Sequence, residues 1–196
     1  MDLPWSGSGG RPGNGIRTAG IRIIGIGGSQ VLRRRAARVR QNRHVRITAK
    51  VDYAVRAMVT LAARDTDRPV AAESIASSQG IPLAFLVKIL ADLRTAQLAQ
   101  SRRGAMGGYV LARAADTISV ADVIRAVEGP LADVHGRPPE DVSYPQPTTA
   151  LRDVWLATRV ALREVLEQTT IADVAAGTLP SHVTDALTRP GANRRR

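Results

Sequence analysis

The stretch "ESIASSQGIPLAFLVKILADLRTAQL", residues 73–98, decides the fold of this chain. It predicts a short helix over 71–78 that stops at Gly80, and a longer helix over 82–96 with Pro82 at its first position. One face of the longer helix is apolar at helical spacing, at Leu83, Leu86, Ile89, Leu90 and Leu93. Two helices joined by a glycine-containing turn are typical of a helix-turn-helix, although a plain helical hairpin has the same pattern.

A helix capped by Thr48 precedes this unit, with apolar residues at helical spacing up to Ala62. A hairpin follows it in "SRRGAMGGYVLARA", residues 101–114. We predict strands over 98–103 and 109–112, with three glycines in the turn: Gly104, Gly107 and Gly108. Tyr109 continues as a strand where a phosphate-binding loop would need a helix. Arg102 and Arg103 therefore suit a wing that enters a DNA minor groove, and a purely structural hairpin remains the alternative.

The net charge of +11 comes from the two ends of the chain. Residues 1–46 hold ten arginines and one acid, and residues 181–196 hold four arginines and one acid, so 47–180 is nearly neutral. We expect 1–44 and 181–196 to be disordered. Because a valine at position 45 is what an alternative start codon would encode, a mis-assigned start is one interpretation of residues 1–44; the alternative is a genuine basic arm that adds non-specific DNA affinity. No apolar run of roughly eighteen residues exists, so we expect a cytoplasmic protein without a membrane segment.

The C-terminal part predicts a dimer. A helix over 120–129, capped by Ser119, is followed by a five-proline linker over 130–147, expected to be extended or mobile, and a helix over 148–168. The main apolar stripe of that helix comprises Leu151, Val154, Trp155, Thr158, Leu162, Val165 and Leu166. Leu156 and Val160 lie nearly opposite, and a helix with two apolar sides is buried on both. We predict that a second subunit covers this strip, and that Tyr144 and Trp155 wall an effector pocket or simply pack together.

Five motifs in this order resemble the Rrf-two family of bacterial winged-helix regulators, the IscR/NsrR/CymR type. They are "RITAKVDYAVRAM", residues 73–98, "RRGAMGGYVLAR", "ISVADVIRAVEG" and "TIADVAAG". The resemblance covers about 45–180. It implies a mainly α fold: a winged helix-turn-helix over 45–114, then a helix, a linker and a long dimerisation helix over 115–180. It also implies a homodimer on a palindromic double-stranded DNA operator.

Site residues follow from the same resemblance. Arg103 would enter the minor groove, and Arg102 would contact phosphate. The major-groove residues of the third helix would be Pro82, Ala84, Phe85, Val87 and Lys88, and the wing residues Arg102, Arg103, Gly104, Gly107, Gly108 and Tyr109. From the two apolar sides of the long helix we predict dimer contacts at Leu151, Trp155, Leu156, Val160 and Leu162, with Leu156 and Val160 on the strip that meets the partner; the reverse assignment of the two sides is the alternative.

The chain departs from the family's cluster-bearing members, which place three cysteines in the linker. It has no cysteine, so a thiolate-ligated cluster is excluded, and no cofactor or metal is expected. Asp52 and His135 are interpreted as surface residues, and the effector or partner protein is unknown. The prediction is a DNA-binding transcriptional repressor; the alternative is a protein-interaction module with a degenerate winged helix. Scattered histidines and the lack of a nucleophile motif argue against an enzyme, and no catalytic residue is predicted.

Overall fold

The computed structural model describes residues 47–64, 68–104, 106–192 and 194. The expectations of disorder and of a mis-assigned start for residues 1–44 lie outside the described residues. Within the described ranges, no single helix is long and apolar enough to cross a membrane. The predicted fold class, mainly helical with a two-stranded antiparallel sheet, is confirmed.

Three helices form the N-terminal part, close to the predicted positions: α1 (Ala49–Ala62), α2 (Ala72–Gln79) and α3 (Leu83–Thr95). The Thr48 side chain accepts a hydrogen bond from the Val51 N–H and so begins α1, as predicted. Gly80 ends α2 in the left-handed conformation, which glycine adopts without steric cost. Pro82 is the N-cap of α3 and not its first helical residue.

The core lies where α1, α3, α4 (Val120–Glu128) and α6 (Ile171–Ala176) meet. Its largest fully buried side chains include Met58, Ile75, Leu86, Ile89, Leu90, Leu93, Ile118, Val123 and Ile171. Leu83 was predicted on the buried face of α3, but it is 39% exposed. It is the first residue of α3, and helical periodicity predicts a face but not how far along the helix the core extends. Because α4 and α6 complete the core, the segment boundary predicted at 114/115 runs through it.

The wing consists of β1 (Ala99–Arg102) and β2 (Gly108–Leu111), paired antiparallel with Ala99 opposite Leu111 and Arg102 opposite Gly108. Val70, before α2, extends this pairing: its N–H donates to the Tyr109 carbonyl at 2.9 Å, and the Tyr109 N–H donates to the Val70 carbonyl at 2.8 Å. Strand β2 is thereby hydrogen-bonded along one edge to β1 and along the other edge to Val70.

The linker over 130–147 is folded, where an extended or mobile segment was predicted. Val134 and Arg137 form an antiparallel bridge, a 3-10 turn spans Pro139–Asp141, and Pro139 is buried. The Glu140 carboxylate pairs with Arg159 at 2.6 Å and fastens this turn to helix α5 (Leu151–Leu166). Proline content predicts irregular backbone, but it does not exclude a folded segment held by side-chain contacts.

Helix α5 is shorter than the predicted 148–168, and none of its residues is fully buried in the single chain. Helix α7 (Ser181–Thr188) packs against it, in a segment for which disorder was predicted. Four arginines dominate the composition of 181–196, but they all follow this helix. Val183 and Ala186 fall three residues apart on α7 and are half-buried, which is the spacing of one helical face.

Candidate nucleic-acid interface

Helix α3 has a buried face and an exposed outer face. Leu86, Ile89 and Leu90 are fully buried beneath it. Every residue predicted to face the DNA major groove is exposed: Pro82, Ala84, Phe85, Val87 and Lys88. Phe85 is 38% and Val87 45% exposed, so this outer face carries accessible apolar side chains beside Lys88.

Tyr53 of α1 supports this outer face, and the sequence analysis did not identify it. Its ring meets Phe85 edge to face, with the ring centroids 5.8 Å apart and an interplanar angle of 81°. Such a pair contributes about 0.5–1.5 kcal/mol beyond the area that it buries. The Arg56 guanidinium lies 5.6 Å from the Tyr53 ring centroid. The position of Phe85 on the outer face is therefore held by α1.

Arg56 also holds the turn of the helix-turn-helix. Its guanidinium donates to the backbone carbonyl and to the side-chain oxygen of Gln79, the last residue of α2. It also pairs with Asp52 at 3.1 Å. Asp52 is therefore a half-exposed partner of Arg56, in line with its interpretation as a surface acid. These contacts fix the end of α2 just before Gly80 and α3.

Two charges near the interface are engaged by other elements of the domain. Asp92 on α3 pairs with Lys50 at 2.8 Å, and the same ammonium group donates to the Val127 carbonyl at 2.6 Å. Arg113 pairs with Asp122 at 2.9 Å. Asp92 is thus neutralised by Lys50 of α1, and Arg113 is tied to α4 by Asp122.

The wing presents Arg102, Arg103 and Gly104 at its exposed end. The Gly107 N–H donates to the Gly104 carbonyl at 2.9 Å and closes the turn. A Cβ on Gly107 would lie 2.7 Å from the Arg102 carbonyl oxygen, so only glycine fits this tight turn. Gly107, Gly108 and Tyr109 are half-buried, and Tyr109 packs the wing against the core.

The residues predicted at the dimer interface are mostly half-buried within the single chain: Leu151, Trp155, Leu156 and Leu162. Val160 is 54% exposed. Val154 and Val165, which the sequence analysis placed on the main stripe, are 53% and 37% exposed. When a helix has two apolar sides, its sequence does not predict which side packs within the same chain and which side stays exposed.

Tyr144 and Trp155 contact each other directly. The indole N–H of Trp155 donates to the Tyr144 hydroxyl oxygen at 3.1 Å. This contact corresponds to the packing alternative for the two aromatic residues. A cavity does lie between the linker and α5, but neither ring lines it.

An exposed α3 face beside an arginine-bearing wing, both carried on one helical core, defines a winged helix-turn-helix DNA-binding protein. The chain belongs to the Rrf2 family, whose model, described as an iron-dependent transcriptional regulator, matches residues 47–177. An HTH-type transcriptional regulator of Mycobacterium tuberculosis is 50% identical over 158 residues, which cover 76% of this chain and 98% of that protein.

Solved structures agree with this assignment. CymR, described as the global cysteine regulator of B. subtilis, is 35% identical with a TM-score of 0.59, and the match covers 68% of this chain and 98% of CymR. IscR of T. potens is 32% identical with a TM-score of 0.55, and the match covers 77% of this chain and 93% of IscR. The chain is a DNA-binding transcriptional regulator.

The iron that the family description implies does not fit the donors of this chain. The sequence contains no cysteine, so no thiolate can hold an iron–sulfur cluster. In the part of the chain that the structure describes, no group of three His, Cys, Asp or Glu side chains is placed to hold a metal. His135 in the linker is exposed.

Proposed function

We propose that this regulator is a homodimeric repressor that reads a pseudo-palindromic operator, with α3 in the major groove and the wing in the minor groove. The observation that carries the proposal is the joint exposure of the outer face of α3 and of Arg102 and Arg103 above one core. Repression follows from a bound dimer that excludes RNA polymerase from a promoter. Such a protein acts where the chromosome is, in the bacterial cytoplasm, and needs no catalytic residue.

The outer face of α3 favours apolar base readout. Ala84, Phe85 and Val87 suit contact with thymine methyl groups, and Lys88 supplies the one charged donor among them. Pro82 would face DNA as the residue before the helix. Few hydrogen-bonding side chains lie on this face, so we infer that DNA shape contributes much of the specificity.

The wing supplies the second contact. Arg103 lies in the exposed turn, where a guanidinium suits the negative potential of a narrow minor groove. Arg102 ends β1 and suits a phosphate contact. The glycines Gly104, Gly107 and Gly108 keep the hairpin thin, and Tyr109 anchors it to the core.

Dimerisation is supported by the surface of α5. Val154, Val160 and Val165 expose apolar area that a second copy can bury. We assign the contact to Leu151, Trp155, Leu156, Val160 and Leu162, with Val154 and Val165 added. A two-fold dimer places its two α3 helices on half-sites one DNA turn, or a small multiple, apart.

The test is DNase footprinting of the full chain on the promoter region of its own gene, with a scrambled fragment of equal length as control. A protected pseudo-palindrome supports the proposal. Uniform, salt-sensitive binding to both fragments contradicts it, because phosphate contacts alone carry no sequence preference. That result would favour the alternative, a protein-docking module, for which the exposed Leu83, Phe85 and Val87 would be the contact surface.

A further inference from the structure

A cavity of about 170 Å³ lies between the folded linker and two helices, α4 and α5. Its walls combine backbone of the linker with charged side chains from all three elements. The charged residues that line it are Arg125, Arg137, Arg159, Arg163, Asp133 and Glu140. Four of these six residues are arginines.

The local charge is positive after the ion pairs are counted. Glu167 accepts from Arg125 and pairs with Arg163 at 3.5 Å, while Glu140 pairs with Arg159 at 2.6 Å. Asp133 accepts from the Gly136 N–H at 2.8 Å and belongs to the cavity wall. Arg125 also shares Asp122 with Arg113. The five arginines Arg113, Arg125, Arg137, Arg159 and Arg163 thus face the four carboxylates Asp122, Asp133, Glu140 and Glu167.

The arginines retain hydrogen-bonding capacity. A guanidinium carries five N–H donors, and the side chain of Arg137 uses one nitrogen, for the Asp141 carbonyl. Arg159 likewise meets Glu140 through one nitrogen. Arg137 and Arg163 are exposed residues that line the cavity, so donors of theirs are accessible to a ligand. Planar guanidinium groups bind carboxylate and phosphate oxygens through paired hydrogen bonds.

The position of the cavity connects the two working parts of the protein. Arg125 belongs to α4, which packs on α1 and α3 in the DNA-binding core. Arg159 and Arg163 belong to α5, the proposed dimerisation helix. A ligand that contacts both helices would stabilise one arrangement of them over another, and only such a difference in affinity shifts an equilibrium.

We propose that this cavity binds a small anion with a carboxylate or phosphate group, and that its occupancy changes the affinity of the dimer for DNA. The regulatory half of this inference rests on the proposed function, whereas the binding half does not.

The test is isothermal titration calorimetry of the full chain with two probes in separate arms, inorganic phosphate and succinate. We expect one site per protomer. Binding of phosphate alone indicates a phosphorylated ligand, and binding of succinate alone indicates a ligand with carboxylate groups. Arg163→Gln and Arg137→Gln should each weaken binding about tenfold or more, the usual effect of losing a charge-assisted hydrogen bond. Two variants are used because Arg163 also pairs with Glu167, and circular dichroism checks that each is folded.

Two matched controls remove a positive charge elsewhere. Arg152→Gln changes an exposed arginine on the same helix, outside the cavity wall, and Arg64→Gln changes an exposed arginine after α1, away from the cavity and the DNA contacts. Both should bind the probe like the unmodified protein. Equal weakening in all four variants, or no binding of either probe, overturns the site.

The DNA readout is kept separate from the binding readout. Fluorescence anisotropy with the footprinted operator, with and without the bound probe, measures the coupling. Unchanged DNA affinity at a saturating probe concentration contradicts the regulatory half. Probe binding that is lost in Arg163→Gln supports the site even when no operator is found, a result that would reject only the proposed function.

Discussion

Gly108 links the wing to the core by close backbone contact, and Gly108→Ala tests that contact. A Cβ at this position would lie 2.5 Å from the Val70 carbonyl oxygen and 2.6 Å from the Val70 carbonyl carbon. Ordinary contacts begin at 3.4 Å, so the two backbones would have to separate by about 0.9 Å. The atoms in the way are backbone, and no rotamer change relieves the contact.

The separation breaks the pairing of Val70 with Tyr109. Its two hydrogen bonds, now 2.9 and 2.8 Å, would lengthen beyond hydrogen-bonding range. Each contributes about 0.5–1.5 kcal/mol, and the residual strain of overpacking costs about 1–3 kcal/mol more. We therefore expect Gly108→Ala to lower the free energy of unfolding by about 2–6 kcal/mol, measured by urea denaturation.

The matched control is Ser101→Ala, an exposed change in the facing strand of the same hairpin. It should alter stability by less than about 0.5 kcal/mol. Gly108→Ala should also weaken operator binding at temperatures where the variant is still folded, because β2 carries the wing. Unfolding free energies within about 0.5 kcal/mol of each other for Gly108→Ala and the unmodified protein would refute the close-contact argument.

Four other predictions concern the site and the termini of helices. Arg103→Ala should cost about 1–3 kcal/mol in operator affinity and relax sequence preference, measured by competition between operator and scrambled DNA. Arg102→Ala should weaken all sequences alike and flatten the log–log salt slope by about one unit, and an unchanged slope would remove its phosphate contact. Leu156→Glu with Val160→Glu should give monomers in light scattering, because charges buried in an apolar interface lack partners; an unchanged mass would reject the assigned face. The Thr170 hydroxyl and N–H donate to the Asp173 carboxylate at 2.7 and 2.8 Å and hold its pKa below the usual 3.8. The stability that this carboxylate adds to α6 is therefore present above pH 3.8 and is lost as pH falls through the lowered pKa. Asp173→Asn should remove this part of the acid denaturation curve.

The pattern of residues 48–98 was sufficient to predict the helices and the glycine turn between them, and the following hairpin and the family resemblance favoured a helix-turn-helix over a plain helical hairpin. The Thr48 cap, Gly80 and the spacing of Leu86, Ile89, Leu90 and Leu93 are local signals, and each was confirmed. The family resemblance supplied the candidate DNA contacts on α3 and the wing, which stay predictions. Capping boxes begin α4 and α6, and each involves two residues only three positions apart: Ser119 with Asp122, and Thr170 with Asp173.

Contacts between distant segments were beyond the sequence. Nothing near Tyr53 indicates that its ring meets Phe85, and nothing near Val70 indicates that it pairs with Tyr109. The folded linker is a further case, because Glu140 meets Arg159 only when both segments are in place. Helix α7 was not predicted, because the expectation of disorder used the arginine-rich composition of 181–196 and not the spacing of the few apolar residues within it.

Sequence by itself determined the class of this protein, because caps, turns and apolar periodicity act within a few residues and five family motifs occur in order along the chain. It also determined that no thiolate is available to hold a cluster. Only the tertiary structure decided which arginines share a cavity, which apolar residues of α5 remain exposed, and how α1 supports the recognition helix. Those features depend on packing between distant segments, some of them 80 or more residues apart as Thr48 and Glu128 are, and such packing has no local signature in the chain.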